Sequence, residues 1–172
     1  MNRERRARAF AEKHHADQKY GDKPYITHLE AVVEILRPTS SDELICAGWL
    51  HDVIEDAQVA VSDVASVVGE EVALLVWAVT GVGKNRKERN ASMYRKIRDY
   101  PTEDAATLKL ADRLANVRAS RVTRTTDDAG NAIVLGDPAK FSMYLKEWLE
   151  FRVQLNARGS AHLWKAIEQE FA

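Results

Sequence analysis

Apolar residues along this chain recur mostly at three- and four-residue intervals, the spacing that lines one face of a helix, and strand-like alternation is almost absent. Residues 2–18 set Phe10 and several alanines among charges and predict a first helix; "YGDKP" (20–24) breaks the pattern with Gly and Pro. "THLEAVVEIL" (27–36) predicts a second helix, ended by Pro38. "SSDE" (40–43) has the form of a capping box, with the Ser40 hydroxyl accepting from the Glu43 amide. It opens a helix that carries Leu44, Ile45, Ala47, Trp49 and Leu50 into "HDVIED" (51–56). A short helix is expected from Ser62 to a stop at Gly69, and then a strongly apolar one, "EEVALLVWAVTG" (70–81). A basic helix over 85–100 stops before Pro101, and Thr102 is placed to cap the next, which runs through 106–122. "DDAGNAIVLGDP" (127–138) is expected to be a long loop, with a brief extended piece at "AIV". Asp137-Pro138 joins a capping residue to a first-turn proline and predicts a helix over 137–157; a shorter one follows Gly159. No repeat or linker interrupts the run. The expected fold is all-α, one compact domain over residues 1–172 with seven to eight helices.

Composition narrows the setting. Of 172 residues, 45% are apolar and 30% charged, enough for a core and for a solvated surface. A net charge of −1 and a pI near 6.5 give no overall attraction to nucleic acid or to anionic membrane. No apolar run of about 18 residues occurs, so no membrane span is expected. "MNRERRARAF" lacks the apolar stretch of a secretory signal. The lone Cys46 excludes an internal disulfide and fits a small core residue, and a reducing cytoplasm is the expected compartment. Whether the chain forms a homo-oligomer is left open.

"HDVIED" is where the helical pattern turns unusual: four of its six side chains are ionisable, directly after the apolar run "LICAGWL". Histidine is the commonest protein metal ligand, and carboxylates suit hard divalent ions. The chain offers His28, the adjacent His51 and Asp52, and Asp112 on three separate helical segments, each beside apolar residues that would hold a ligand rigid and dry. Two imidazoles and two carboxylates leave positions open on a six-coordinate ion, as a hydrolytic metal needs. If the helix continues, Glu55 stacks over His51 and Asp56 over Asp52, one turn beyond the ligands, where they could handle the proton of an attacking water. Each residue alone has a structural reading: His28 as a cap or core histidine, Asp112 as the partner of Arg113 or Arg118. The joint pattern is far more specific than its members. His14, His15 and His162 lack such surroundings and are expected at the surface.

The order His28, His51-Asp52, Asp112 resembles that of the HD superfamily of metal-dependent phosphohydrolases. "PYITHLEAVVEIL", "AGWLHDVIED" and "LKLADRLANVR" are similar to segments of the hydrolase domain of the RelA/SpoT alarmone enzymes and their small stand-alone forms. The likeness covers roughly residues 7–125, and "MYLKEWLEF" (143–151) resembles a C-terminal helix of small members. The resemblance implies an all-helical fold, one Mn²⁺ ion, and hydrolysis of (p)ppGpp to GDP or GTP plus pyrophosphate. It implies metal ligation by His28, His51, Asp52 and Asp112, catalysis by Glu55 and Asp56, and approach to the nucleotide by Lys109 and Asn116. Where members of the family carry a longer basic loop with a guanine-stacking arginine, this chain has "QKYGDKP", whose candidates are Lys19, Tyr20 and Lys23.

"GKNRKERNASMYRKIR" (83–98) holds seven Lys or Arg against one Glu on an otherwise balanced chain. Lys84, Arg86, Lys87 and Arg89, at the loop and helix start, are candidates for phosphate binding, since arginine forks hold phosphates bidentately. The competing reading is a solvated amphipathic helix that buries Met93, Tyr94 and Ile97. Nucleic acid is disfavoured as a partner by the low net charge and the lack of a binding motif. The leading expectation is therefore a phosphohydrolase acting on a small nucleotide. An HD nucleotidase or phosphatase acting on a deoxynucleotide or NADPH is the enzymatic alternative. A nucleotide-holding module without catalysis is the other, disfavoured by the intact acidic pair.

Overall fold

The structure is a computed structural model and describes residues 2–38, 40–126 and 129–172. In chain order its elements are α1 (Arg3–His15), the two-residue strands β1 (Lys19–Tyr20) and β2 (Lys23–Pro24), α2 (Ile26–Leu36), α3 (Asp42–Leu50) and α4 (Val53–Asp56). These are followed by α5 (Val61–Val68), α6 (Glu70–Val79), α7 (Arg86–Asp99) and α8 (Asp104–Ser120). The hairpin strands β3 (Thr123–Thr126) and β4 (Ala132–Leu135) then lead to α9 (Pro138–Leu155) and α10 (Ala161–Phe171). β1 pairs antiparallel with β2, and β3 with β4 in the register Thr123 to Leu135 through Thr126 to Ala132. The all-α expectation holds. Ten helical elements are present among the described residues instead of seven or eight; one of the additional elements is the short α4, which forms because HDVIED is divided.

Several local expectations shift. Ser41, not Ser40, caps α3, accepting from the Leu44 amide at 3.2 Å. Glu43 does not reach back to the cap; it pairs with Arg3 of α1. α5 starts at Val61 with Ala60 at its cap position and no side-chain cap, so Ser62 lies inside the helix. α8 starts at Asp104 with Glu103 in the cap position, and Thr102 Oγ1 accepts from the Asp104 amide at 3.3 Å. α8 ends at Ser120, earlier than 122, because the chain turns into β3. Within the expected loop over 127–138 the extended piece at "AIV" is present and belongs to β4, which pairs with β3; Asp127 and Asp128 of that loop lie outside the described residues. Asp137 caps α9 as expected, accepting from the Lys140 amide at 2.9 Å.

α3 is apolar on every side, and Leu44 through Leu50 are all buried, Cys46 among them. It packs against α1, α2, α6 and α8. Gly48 makes that packing close: a Cβ there would lie 3.0 Å from Leu36 Cδ1 and 3.1 Å from Val33 Cγ2. α8 is buried along most of its length, with Leu108, Leu110 and Leu114 in the core. Fully burying each such leucine contributes about 1.5–3 kcal/mol. The start of α2, the end of α3 and the middle of α8 therefore converge, and each brings one or two of the ionisable residues singled out in the sequence.

Candidate active site

His28, His51 and Asp112 are buried, and one ligand atom from each lies within 4.8 Å of the others. His28 Nε2 is 3.4 Å from Asp112 Oδ1, and His51 Nε2 is 3.7 Å from the same oxygen. Asp52 joins them through Oδ2, 3.0 Å from His51 Nε2 and 3.6 Å from His28 Nε2. The helix makes this possible by loosening after Leu50. Asp52 has φ −106° and ψ −6°, and a new turn closes with the Asp56 amide donating to the Asp52 carbonyl at 2.8 Å. His51 Nδ1 contacts the Gly48 carbonyl at 2.9 Å, one of the carbonyls left over at the end of α3, so Nδ1 carries the hydrogen. His51 Nε2 is then a buried nitrogen with no hydrogen-bond partner, aimed at two carboxylates. Burial alone would lower the His51 pKa, yet Asp52 and Asp112 hold it well above the ordinary histidine value. Burial likewise opposes ionisation of Asp112, but Lys109, His28 and His51 hold its pKa well below the carboxylate range. Asp52 is depressed against the same opposition, chiefly by His51. Once Nε2 gives up its proton it offers a lone pair among carboxylates in a buried niche, which suits a bound cation, and the two-imidazole, two-carboxylate donor set suits a divalent one.

The acidic pair lies beside this cluster. Asp52, Glu55 and Asp56 line a polar cavity of about 350 Å³ together with Lys19, Tyr20, Tyr25, Lys109, Asp112 and Asn116 from the same side. Arg86, Arg89 and Lys140 line it too. The Gly81 amide donates to Glu55 Oε2 at 2.7 Å, and Arg89 Nε lies 3.2 Å from Oε1, so both Glu55 oxygens are fixed. Asp56 Oδ2 accepts from Gln18 Nε2 at 3.0 Å. The two carboxylates thus have separate supports, one from the α6–α7 loop and α7, the other from the α1–α2 connection.

Against known proteins, residues 7–133 match the model of the HD domain. The chain belongs to the HD-domain family. A probable guanosine-3′,5′-bis(diphosphate) 3′-pyrophosphohydrolase of Synechocystis sp. is 36% identical over 140 residues, 72% of this HD chain and 18% of that protein. A guanosine-3′,5′-bis(diphosphate) 3′-pyrophosphohydrolase of Aquifex aeolicus is 38% identical over 124 residues, 69% of this chain and 18% of that protein. A GTP pyrophosphokinase of Streptomyces coelicolor is 40% identical over 123 residues, 67% and 14% respectively. The HD chain therefore spans less than a fifth of the length of these relatives. A solved structure of a metazoan SpoT ortholog that hydrolyzes ppGpp superposes with a TM-score of 0.79 at 22% identity, covering 99% of this chain and 94% of that one. That likeness shows the shared fold.

The HD domain treats the other candidates unequally. Lys109 Nζ donates to Asp112 Oδ2 at 2.7 Å, so it holds a carboxylate of the cluster. Asn116 accepts from the Tyr20 hydroxyl at 2.8 Å and donates to Asp112, so its amide is committed to the cluster as well. Arg86 forks onto Glu147 of α9, at 2.7 and 2.9 Å. Lys84 and Lys87 are exposed and do not line the cavity. Lys23 instead lines a larger, mainly apolar groove of about 660 Å³ on the other side of Tyr20 and His28. Neither Arg113 nor Arg118 pairs with Asp112: Arg113 goes to Glu147 at 3.1 Å and Arg118 to Glu170 at 2.9 Å. The expectation for His15 is overturned. It is only 3% exposed, because the chain turns back over it into β1 and Tyr25 stacks on its ring; His162 is exposed as expected. The sequence reading missed Gln18, Tyr25, Lys140, Tyr144 and Glu147. Tyr25 stood in the quoted "PYITH", one turn before His28; the α9 residues had no local signal, since only packing brings α9 to the cavity.

Proposed function

We propose that this HD domain, a single domain over residues 1–172, is a divalent-metal-dependent phosphohydrolase that cleaves (p)ppGpp to GDP or GTP and pyrophosphate. The observation that carries the reading is the buried, unpartnered Nε2 of His51 facing Asp52, Asp112 and His28 beside Glu55 and Asp56. The names of the relatives support the nucleotide assignment. One Mn²⁺ is the proposed ion, held by His28, His51, Asp52 and Asp112. Such an ion supplies positive charge that polarises phosphoryl oxygens and makes water easier to deprotonate. No helix among the described residues is long and apolar enough to cross a membrane, and the proposed compartment is the cytoplasm.

Intact pyrophosphate and a free 3′ hydroxyl of unchanged configuration are the products when water attacks the phosphorus bonded to the ribose 3′ oxygen and that P–O bond breaks. The water must lose a proton and the 3′ oxygen must gain one. Glu55 and Asp56 are the carboxylates at the cavity available for these transfers. Gly81 and Arg89 orient Glu55, and Gln18 orients Asp56. Lys140, Arg89 and Arg86 provide the positive rim that attracts a substrate bearing two diphosphates. Arg86 is partly neutralised by Glu147 and Arg89 by Glu55, so Lys140 is the strongest contributor of the three.

One observation keeps a second reading alive. No arginine lies in the 16–25 segment, and the Tyr20 ring is occupied by His28 and Lys140, which leaves no ready platform for guanine. A different phosphorylated nucleotide would meet the same chemistry. Purified protein with Mn²⁺ should be offered ppGpp, pppGpp, deoxynucleotides and NADPH. Pyrophosphate release from ppGpp, abolished by chelator and by Asp112→Asn, is the expected result. Orthophosphate release from another nucleotide would favour the second reading. Nucleotide binding without turnover would leave only a binding module.

A further inference from the structure

His15 is a buried ionisable side chain for which the reaction outlined above has no use. It closes α1, and the chain then turns sharply through Ala16, whose φ of 23° and ψ of −100° are strained for a residue with a Cβ. The turn is locked on both sides: the Gln18 amide donates to the His15 carbonyl at 2.6 Å, and the Tyr25 amide donates to the Gln18 carbonyl at 3.0 Å. The result is that two side chains leaving His15 reach two different acids of the site.

The first arm is a directed hydrogen-bond chain. Asp56 as a carboxylate only accepts, so Gln18 must present its Nε2 to Asp56 Oδ2, at 3.0 Å. Gln18 Oε1 then faces His15 Nδ1 at 2.8 Å, and His15 must donate there. If His15 Nδ1 were not a donor, Gln18 Oε1 would face a lone pair, and only Asp56 would hold the amide in this orientation. The second arm is packing. The His15 ring stacks on Tyr25, with centroids 4.5 Å apart and planes 18° from parallel. The Tyr25 hydroxyl donates at 2.6 Å to Asp52 Oδ2, the same oxygen that approaches His51 and His28. His15 Nε2 itself is buried with no partner, so its ring is held for what Nδ1 and the ring face do.

We propose that His15 is a positioning residue: through Gln18 it aims Asp56, and through the ring of Tyr25 it steadies the hydroxyl that fixes Asp52. The proposal rests on the hydrolase reading for its Asp56 arm and on metal binding alone for its Asp52 arm, so the two can fail separately.

The test uses four variants of the full chain, with Mn²⁺ affinity measured by calorimetry in the absence of nucleotide and kcat and KM measured with ppGpp. Gln18→Leu and His15→Phe should lower kcat about 10–100-fold with KM and Mn²⁺ affinity unchanged, the size typical for groups that orient site residues. His15→Asn, which keeps a side-chain N–H donor but loses the ring stacked on Tyr25, should recover most of the kcat lost in His15→Phe at saturating Mn²⁺ and should bind Mn²⁺ about 10–100-fold more weakly. Tyr25→Phe, which removes only the hydroxyl, should weaken Mn²⁺ binding about 10–100-fold. A wild-type kcat in Gln18→Leu, or a His15→Asn protein as slow as His15→Phe, would overturn the first arm. Unchanged Mn²⁺ affinity in Tyr25→Phe would overturn the second. Should His15→Phe fail to fold, Gln18→Leu, at a half-buried position, decides the first arm by itself. A wild-type protein that binds Mn²⁺ but turns over no nucleotide would defeat the hydrolase reading and the Asp56 arm with it, while the Tyr25→Phe affinity still decides the other.

Discussion

The Tyr20 ring stacks on the His28 imidazole, centroids 4.7 Å apart and planes 12° from parallel, while its hydroxyl donates to Asn116 at 2.8 Å and Lys140 Nζ sits 4.3 Å from its centroid. Tyr20 therefore works as a wall of the metal cluster, not as an open surface for a base. Tyr20→Ala should free the His28 ring and weaken Mn²⁺ binding about 10–100-fold. Tyr20→Phe keeps the stack and loses one hydrogen bond, with a stability loss of about 1 kcal/mol. Calorimetric Mn²⁺ titration of both variants checks this; equal affinities would mean that the stack does not steady His28.

Metal uptake should release protons. In the metal-free protein burial lowers the His51 pKa, but Asp52 and Asp112 outweigh it and raise it above its usual 6.5; they favour the charged imidazole, which must lose its proton to offer Nε2. The sign for stability follows. The raised His51 contributes stability that is fully present below pH 6.5 and is lost as pH rises through its folded value. The depressed Asp112 contributes stability present above pH 3.8 and lost as pH falls through its folded value. The metal-free melting temperature should thus decline as pH is raised above 6.5, and saturating Mn²⁺ should remove that decline. Titrations in buffers of different ionisation enthalpy should report proton release at pH 7; none would contradict the arrangement.

Gly81 is a further point of control. A Cβ there would lie 2.9 Å from Glu55 Oε2 and 2.8 Å from Arg89 Cβ, while the Gly81 amide is the donor that fixes Glu55. Gly81→Ala should displace the carboxylate by a few tenths of an ångström to an ångström and lower kcat about 10–100-fold, since misplacements of that size are costly in catalysis. Mn²⁺ affinity should not change, because none of the four ligands contacts Gly81. Loss of metal binding instead would show that the loop supports the whole centre.

Phe151 anchors α9. It is fully buried, stacks with Trp148 and lies under the Arg113 guanidinium, whose Cζ is 4.5 Å from its ring centroid. Phe151→Ala should cost about 3–5 kcal/mol in denaturant unfolding. Because α9 also delivers Lys140 and Tyr144 to the cavity, KM for nucleotide should rise at temperatures where the variant remains folded. A change under 1 kcal/mol would mean that α9 is held by other contacts.

Much of the fold was legible because its signals are local. The helical spacing of "THLEAVVEIL", the fully apolar α3 and the Asp137-Pro138 start each depend on neighbours in sequence. The convergence of His28, His51, Asp52 and Asp112 was legible for a different reason: two histidines and two aspartates in apolar helical surroundings form a pattern that survives without knowing how the helices pack. What escaped depends on tertiary contact. Ser41 took the cap because α3 begins one residue later, which freed Glu43 to meet Arg3 of another helix. β3 was hidden because "TRTT" has no apolar alternation; β4 is the brief extended piece expected at "AIV", but its pairing partner was not legible. Charge counting suggested Lys84, Arg86, Lys87 and Arg89 equally, but only Arg86 and Arg89 line the cavity, and both are tied to glutamates. His15 looked like one of several surface histidines, and only the strained turn after it shows why it is buried.

The central claim is that these side chains and one divalent ion direct water onto the phosphorus bonded to the ribose 3′ oxygen. The most direct measurement is a ppGpp reaction in ¹⁸O-labelled water with Mn²⁺, its products resolved by mass spectrometry. The account predicts label in the pyrophosphate, unlabelled GDP, and no reaction in the presence of chelator. Label in the 3′ hydroxyl of GDP, orthophosphate as the product, or turnover that ignores the chelator would contradict it.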